Sequence, residues 1–207
     1  MYARSTTVQG NPQALDEGIA YVRDEVMPLV QGMDGWVGLS MLCDRDSGRC
    51  IITTSWAGEE AMRASDEGVR ASRARAAQIF GDPDPEVQEW EVAVMHRMRG
   101  TGDGACARVI WSRGQTGQVD RVLEAWRTTI PPQLEQMPGF CSVSALLDRG
   151  ASRAVSAVSY ESREAMDRSA ERGIALRDQF AASMQLEITE VAEFEIALAH
   201  LRVPELA

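Results

Sequence analysis

The feature that most constrains the fold of this chain is an internal repeat. The segment that begins at Met33 recurs at Met137, and this offset, 137 − 33 = 104 residues, aligns the two halves of the chain without a gap. Between Ala3 and His96, 28 of the 94 aligned pairs are identical. The chain is therefore a tandem duplication, and both halves are expected to form the same structural unit.

The first half of each repeat predicts a strand followed by a helix. Short β-rich runs cover residues 4–8 and 108–111. In the first repeat, Asn11 and Pro12 then suit the N-cap and the first position of a helix. Apolar residues follow at steps of three and four, which predicts one amphipathic helix per repeat. In the second repeat these residues are Val119, Leu123, Trp126, Ile130 and Leu134.

The remainder of each repeat predicts a hairpin, a helix and a last strand. The hairpin strands are 36–44 with 49–56 and, in the second repeat, 140–148 with 153–160. A long helix is predicted over 59–80 and 163–184, and a strand over 87–96 and its counterpart near the end of the chain. The order β-α-β-β-α-β is that of a ferredoxin-like unit, whose helices cover one face of an antiparallel sheet.

Such a sheet leaves its other face bare, and a fused copy of the same unit would cover it. The predicted fold class is therefore α+β, with two ferredoxin-like βαββαβ repeats that form a dimeric α+β barrel within one chain. The predicted domains are 1–98 and 106–207, joined by a Gly-rich linker at 99–105. The linker's Gly-x-Gly-x-Gly run precedes a β-rich segment instead of a helix, so it does not match a dinucleotide-binding loop.

The composition excludes several classes of function. All 21 basic residues are Arg, and 31 acidic residues give a net charge of −10, which disfavours nucleic acid and anionic membranes as partners. The absence of Lys excludes Schiff-base chemistry and a Walker A loop. No apolar run is long enough for a membrane span or a signal peptide, so a cytoplasmic location is expected. The four cysteines form no Cys-x-x-Cys pair and are expected to be reduced.

Three motifs carry a resemblance to a known family. They are the Met-x-Gly-Trp/Phe segment before the second strand, Leu-x-Asp-Arg before the hairpin turn, and above all the paired segments 55–62 and 159–166. The last pair is similar to the strand-Trp-x-Ser-x-Glu-Ala signature of the antibiotic-biosynthesis-monooxygenase-like superfamily of dimeric α+β barrels. The resemblance covers nearly the whole chain and implies a pocket between the sheet and the helices of each unit.

Members of this superfamily include cofactor-free oxygenases of aromatic polyketides, haem-degrading enzymes and proteins without known activity, and the fold alone does not choose among them. The family often has a His in the second helix, where this chain has Ser65 and Ser169. Haem-degrading members use an Asn on the first strand, whereas the one Asn here, Asn11, is assigned to a helix cap. The expectation is therefore a protein without a cofactor or metal, with haem chemistry disfavoured.

Aromatic residues are the first candidates for a site. Trp56 and Tyr160 occupy the position of the signature aromatic and are the candidate catalytic residues, with ordinary core packing as the alternative. Trp36, Phe140 and Trp111 are candidate substrate-binding residues. Trp111 and Trp126 have no aromatic counterpart in the first repeat, which predicts that the two pockets differ in size and polarity.

Charged residues are the second group of candidates. His96 and His200, the only two histidines, end the fourth strand of each repeat and are candidate general bases, or else packing residues. Arg4 and Arg108 begin the first strand. They are predicted to pair with Glu91 and Glu195 on the neighbouring strand, or to bind a phenolate or peroxide-like anion if they face a pocket.

Two cysteines and two Asp-Arg pairs lie beside the predicted hairpin turns. Cys43 and Cys50 flank the first turn and could face each other, but Leu147 and Ala154 replace them in the second repeat, so they are interpreted as small core residues. The Asp-Arg pairs at 44–45 and 148–149 are predicted to serve the turns.

Two functional hypotheses follow. The first is a cofactor-independent, monooxygenase-like protein that acts on or binds an aromatic, polyketide-like small molecule between sheet and helices. The alternative is a non-catalytic ligand-binding or structural barrel. Convergence of polar groups in an enclosed cavity of about 300 Å³ or more would separate them, because small-molecule sites usually have that size. A small aromatic molecule is the expected partner, and further association of the chain with itself is left open.

Overall fold

The structure, a computed structural model, describes residues 1–201. The first repeat folds as β1 (Tyr2–Gln9), a 3-10 turn (Pro12–Ala14), α1 (Leu15–Tyr21), a π-helical segment (Val22–Val26), α2 (Met27–Gln31), β2 (Trp36–Cys43), β3 (Arg49–Trp56), α3 (Glu59–Phe80) and β4 (Glu86–Arg97). The second folds as β5 (Cys106–Arg113), α4 (Val119–Leu134), β6 (Phe140–Asp148), β7 (Arg153–Tyr160), α5 (Arg163–Arg168), α6 (Ala170–Met184) and β8 (Glu187–Leu201).

The eight strands are hydrogen-bonded in the order β1-β3-β2-β8-β5-β7-β6-β4, which closes as a barrel. The pairs of each hairpin, β2 with β3 and β6 with β7, are antiparallel. β1 also pairs antiparallel with β3, and β5 with β7. The predicted fold class, two fused ferredoxin-like repeats that form an α+β barrel, is confirmed.

The chain forms two compact units whose limits do not follow the repeats. The first unit contains Met1–Trp90 and the end of β8 from Glu195, and the second unit contains Glu91–Phe194. In the first unit, β2 therefore pairs with the end of β8. In the second unit, β6 pairs with the end of β4, from Glu91 to Arg97. The last strand of each repeat, 12 or 15 residues long, thus completes the sheet of the other unit.

Each unit has its own core between sheet and helices. In the first unit, Trp56 and Phe80 are fully buried among residues of β2, β3 and α3. In the second, Tyr160, Phe140 and Phe180 are buried with residues of α4. The side chains that face each core recur at every second residue of a strand and at about every 3.6 residues of a helix.

The start of the first helix follows the sequence, although its continuation is less regular than predicted. The Asn11 side chain accepts a hydrogen bond from the backbone N–H of Gln13 at 3.0 Å, as expected of an N-cap. The segment it caps begins as a 3-10 turn and passes through one π-helical stretch, so the predicted single helix is divided.

The second helix of the second repeat also differs from the prediction. It was expected to run unbroken over 163–184, but it divides into α5 and α6 at Ser169, whose ψ is −4°. The Ser169 hydroxyl lies 3.0 Å from the carbonyl oxygen of Ala165 and 3.3 Å from that of Pro138. In the first repeat the aligned Ser65 donates to the carbonyl of Met62 at 2.7 Å, and α3 is continuous.

The hairpin aspartates serve their turns as predicted. The Asp44 carboxylate accepts hydrogen bonds from the backbone N–H groups of Asp46 and Ser47, and Asp148 accepts one from Ala151. The arginines that follow these aspartates do not serve the turns.

Arg45 instead pairs with Glu195 at 2.8 Å, and Arg149 pairs with Glu91. The prediction that Glu91 and Glu195 pair with Arg4 and Arg108 was therefore wrong. The two glutamates lie on the part of β4 or β8 that joins the other unit, which a comparison of repeats does not reveal.

No helix among residues 1–201 combines the length and the apolar character needed to cross a membrane.

Candidate functional site

A cavity of about 130 Å³ lies in the second unit, between the sheet and helices α4 and α6. The five apolar residues of α4 that the sequence pattern placed on one face, Val119, Leu123, Trp126, Ile130 and Leu134, all line it. The sheet contributes alternate residues of β5 and β7, because Arg108 pairs with Val158 and side chains two positions apart share a face. The cavity is where the family resemblance implied a pocket.

Three aromatic side chains, those of Trp126, Tyr160 and Phe180, line this cavity. Tyr160 is 1% exposed, and its hydroxyl lies 3.8 Å from the sulfur of Met137, a weak acceptor. Burial raises the pKa of Tyr160, and this effect outweighs the opposite influence of the nearby Arg108. Tyr160 is therefore a neutral phenol at physiological pH and has a hydroxyl proton to donate.

Three arginines line the cavity, Arg108, Arg153 and Arg177, and Arg108 is the buried one. Arg108 is 7% exposed, and its Nε and Nη2 donate to Oε1 of Glu193 at 3.0 and 2.7 Å. Its Nη1 is buried and has no hydrogen-bond partner among the residues that the structure describes. A buried donor without a partner costs about 1–3 kcal/mol, so this end of the guanidinium is chemically unsatisfied at the cavity wall.

The equivalent arginine of the first unit is fully engaged. Nη2 of Arg4 lies 2.8 Å from Glu89, and its Nη1 donates to the Ser65 hydroxyl at 3.2 Å with Asp66 3.7 Å away. Both arginines thus do form the predicted kind of cross-strand ion pair, but with glutamates two residues earlier than expected. The cavity beside Arg4 is only about 60 Å³.

Position 173 explains part of the difference in size. Gly173 of α6 lines the larger cavity, and the aligned residue of the first unit is Val69, which lines the smaller one. A Cβ atom at position 173 would lie 3.4 Å from Nη1 of Arg108. The absence of a side chain therefore leaves open the space in front of the unpartnered nitrogen. Sequence reasoning missed Gly173, although the exchange of Val for Gly between aligned helices could have indicated it.

The charge balance also differs between the two units. Glu193 is shared, because its second oxygen accepts from Arg163 at 2.7 Å. Two arginines therefore face one carboxylate in the second unit. Arg4 faces Glu89, and Asp66 lies 3.7 Å from Arg4 but is held more closely by Arg73, at 3.1 Å. Glu193 thus leaves one positive charge of its pair of arginines unneutralised, and of these two arginines only Arg108 lines the cavity.

The other predicted aromatic residues lie outside the cavities. Trp56 is fully buried in the first core, where its Nε1 donates to the Thr54 hydroxyl at 3.2 Å. Trp111 alternates with the lining residues of β5 and meets the ring of Phe194 edge-on at 6.5 Å. Neither tryptophan lines either of the two cavities described above.

Each of the two histidines stacks on one of the other candidate aromatic residues, Trp36 or Phe140. His200 lies over Trp36, with 5.6 Å between ring centroids, and His96 over Phe140 at 6.4 Å. Nε2 of His96 is also 2.8 Å from a carboxylate oxygen of Glu135. None of these four rings lines either cavity, so the larger cavity brings together only Arg108 and Tyr160 of the predicted site residues.

Residues 1–201 contain no group of three or more His, Cys, Asp or Glu side chains that could hold a metal ion.

Solved structures share this fold. A proposed monooxygenase from Fusobacterium nucleatum matches 97% of the chain and 94% of its own length, with a TM-score of 0.73 and 11% identity. An anthrone oxidase-like protein matches 100% and 95%, with a TM-score of 0.65 and 17% identity. A ferredoxin-fold protein related to antibiotic biosynthesis monooxygenases, from Listeria monocytogenes, matches 99% and 95% at 0.52 and 10% identity. The resemblance to this superfamily is confirmed at the level of the fold.

Relatives found by sequence comparison have a higher identity to this chain than these structures do. No protein-family model matches the chain. The uncharacterized protein Rv2557 of Mycobacterium tuberculosis is 48% identical over 206 residues, which is 100% of this chain and 92% of the relative. Rv2558 of the same organism is 48% identical over 207 residues, 100% of this chain and 87% of the relative. The chain belongs to the family of Rv2557 and Rv2558.

Proposed function

We propose that the second unit binds a small aromatic molecule of about one ring. The observation that carries this proposal is the cavity of about 130 Å³ walled by Trp126, Phe180 and Tyr160. In another protein, an engineered apolar cavity of about 150 Å³ binds benzene. Small-molecule pockets usually occupy about 300–1,000 Å³, so this cavity falls short of the size that would favour the polyketide-sized monooxygenase hypothesis. The proposed ligand is therefore smaller than the polycyclic polyketide that the family resemblance suggests, and far smaller than haem.

The reaction that the resemblance suggests is oxygenation without a cofactor. An electron-rich phenol can react with O₂ to give a quinone and water. One oxygen atom of O₂ forms the new C=O bond at the ring carbon, and the other leaves as water with the hydrogen atoms of the ring C–H and the phenol O–H. In this proposal Trp126 and Tyr160 orient the ring. None of the described residues that line the cavity is Asp, Glu, His or Cys. This observation also favours the second candidate, a binding protein that performs no reaction.

A thermal-shift panel tests the proposal. Purified protein is heated with one-ring compounds (phenol, benzyl alcohol, benzoate) and with anthrone and haem. A ligand at about a hundredfold over its Kd should add about 2.7 kcal/mol to the free energy of unfolding. We expect shifts with one-ring compounds and none with anthrone or haem. Any compound that shifts the transition then enters an oxygen-uptake assay, which separates an oxygenase from a binding protein.

Two variants locate the site. Gly173→Val places the residue of the first unit beside Arg108 and should abolish the shift. Ala175→Val adds the same side chain to an exposed position of the same helix and should leave the shift intact. Absence of any shift with all one-ring compounds, or a shift that survives Gly173→Val, would contradict the proposal.

A further inference from the structure

The unsatisfied guanidinium of Arg108 distinguishes this cavity from a simple apolar void. Its Nη1 is buried, has no partner among the described residues and lies at the cavity wall beside Gly173. A buried donor of a charged group without an acceptor is costly unless a bound group accepts its hydrogen bond.

We infer that the ligand of the second unit is an aromatic anion, a carboxylate or a phenolate, whose charged oxygen accepts a hydrogen bond from Nη1 of Arg108. This inference rests on the proposed function, because it specifies the class of molecule that occupies the same cavity. Hydrogen bonds between guanidinium and carboxylate or phenolate oxygens are charge-assisted and roughly twice as strong as neutral ones.

The surrounding charges support an anion and not a neutral ligand. Glu193 neutralises only one positive charge, and it divides its two oxygens between Arg108 and Arg163. The cluster of these three residues thus retains one net positive charge. Arg108 is its buried member at the cavity wall, whereas Arg163 lies outside the lining and is 46% exposed. Attraction between charges is stronger at the buried Arg108 than in water because the local dielectric constant is low.

A second donor is available at the same wall. Tyr160 and Arg108 lie on one face of the sheet, because Arg108 pairs with Val158 and Tyr160 lies two residues further along β7. The Tyr160 hydroxyl contacts only the weak sulfur acceptor of Met137, and its raised pKa keeps its proton in place. It is therefore able to donate to the other oxygen of a carboxylate, or to a phenolate.

The first unit does not have this arrangement. There Ser65 accepts the hydrogen bond of the equivalent nitrogen of Arg4, and Asp66 lies 3.7 Å from it. In the second unit, Ala170 replaces the aspartate and the Ser169 hydroxyl is directed to backbone carbonyl oxygens. The anion site is accordingly assigned to the second unit alone.

Calorimetric titration of the full chain tests the inference. Benzoate is compared with the neutral isostere benzamide, and 4-nitrophenolate at about pH 8 with neutral 4-nitroanisole, so that the two kinds of anion are tested separately. We expect each favoured anion to bind at least about tenfold more tightly than its neutral counterpart. In Arg108→Gln this preference should fall by about 10- to 100-fold, the loss of one hydrogen bond to a charged group.

The control is Arg149→Gln, which removes an Arg–Glu pair of the same unit that does not line the cavity and should retain the preference. Equal affinity for anionic and neutral compounds in the wild-type protein would overturn the inference while the proposed function stood. Failure of every one-ring compound to bind would overturn both. If Arg108→Gln does not fold, the affinities of the wild-type protein for anionic and neutral ligands still test the inference.

Discussion

At the scale of single residues, two aligned arginines have different surroundings. Arg4 and Arg108 begin equivalent strands and each pairs with a glutamate, yet only Arg108 has an unpartnered Nη1 among the described residues. The sequence predicted both the ion pairs and the alternative role as an anion ligand. It could not predict which applied, because the answer depends on Gly173 and on where a serine hydroxyl points.

The cysteines give a first prediction at this scale. All four are buried and free, and Cys43 and Cys50 face each other across the hairpin with their sulfur atoms 2.8 Å apart. The hydrogen bond with Cys50 and burial both raise the pKa of Cys43, so its reactive thiolate is suppressed. We expect the native protein to react slowly with an aromatic disulfide reagent and all four thiols to react in denaturant. Rapid reaction of two thiols in the native protein would contradict this expectation.

Asp148 gives a second prediction. The hydrogen bond from Arg153, aided by the backbone N–H of Ala151, lowers the pKa of Asp148. A carboxyl whose pKa is lower in the folded state stabilises the fold above its unfolded pKa of about 3.9, and this contribution is lost as pH falls through the folded value.

Asp148→Asn keeps an acceptor for the turn but loses the charge. It should therefore reduce the free energy of unfolding by at most about 1 kcal/mol at neutral pH, because the pair is partly exposed. Denaturant titrations at neutral pH and near pH 2 check this, since the difference from wild type should vanish in acid. A difference that persists in acid would show that the charge is not its cause.

At the scale of secondary-structure elements, sequence periodicity was most informative about α4. All five residues of its apolar series line the cavity, so the pattern identified the wall of the site before the site was known. The break at Ser169 was not predictable from the repeat, because the aligned Ser65 lies in an unbroken helix. Hydrogen bonds of one hydroxyl to distant backbone groups leave no periodic signal.

Two helical glycines give a matched prediction. Gly173→Ala should stabilise the protein by up to about 1 kcal/mol, because Ala favours helix and the new Cβ makes ordinary contact at 3.4 Å. Gly18→Ala should destabilise it by about 1–3 kcal/mol, because a Cβ there would overlap the buried ring of Phe80. Chemical denaturation of both variants measures the signs, and equal signs would refute the packing described for α1 or α6.

At the scale of the whole molecule, the sequence predicted two βαββαβ repeats and a closed barrel, and both are present. It did not predict that Glu91 and Glu195 would lie where β4 and β8 pass from one compact unit to the other. Repeat alignment cannot detect such an exchange, because the exchanged segments are themselves equivalent. For this reason the strands and helices were predicted correctly, but the glutamates that pair with Arg4 and Arg108 were not.

The exchange predicts how an isolated repeat behaves. A fragment of residues 1–98 lacks the end of β8, which pairs with β2 over the fully buried residues Leu39, Met41 and Cys43. We expect the fragment to form a dimer in which the end of β4 replaces that of β8 in each copy, since an unpaired apolar edge is unstable in water. Light scattering after gel filtration measures the mass. A stable, folded monomer would contradict the assignment of strands to units.

We propose that the second unit holds an aromatic anion against Arg108, and a crystal structure of the full chain with benzoate would show this anion in place. We expect benzoate in the cavity lined by Trp126 and Tyr160, with a carboxylate oxygen about 3 Å from Nη1 of Arg108 and none beside Arg4. Benzoate bound only elsewhere, or an empty cavity at a saturating concentration, would contradict it.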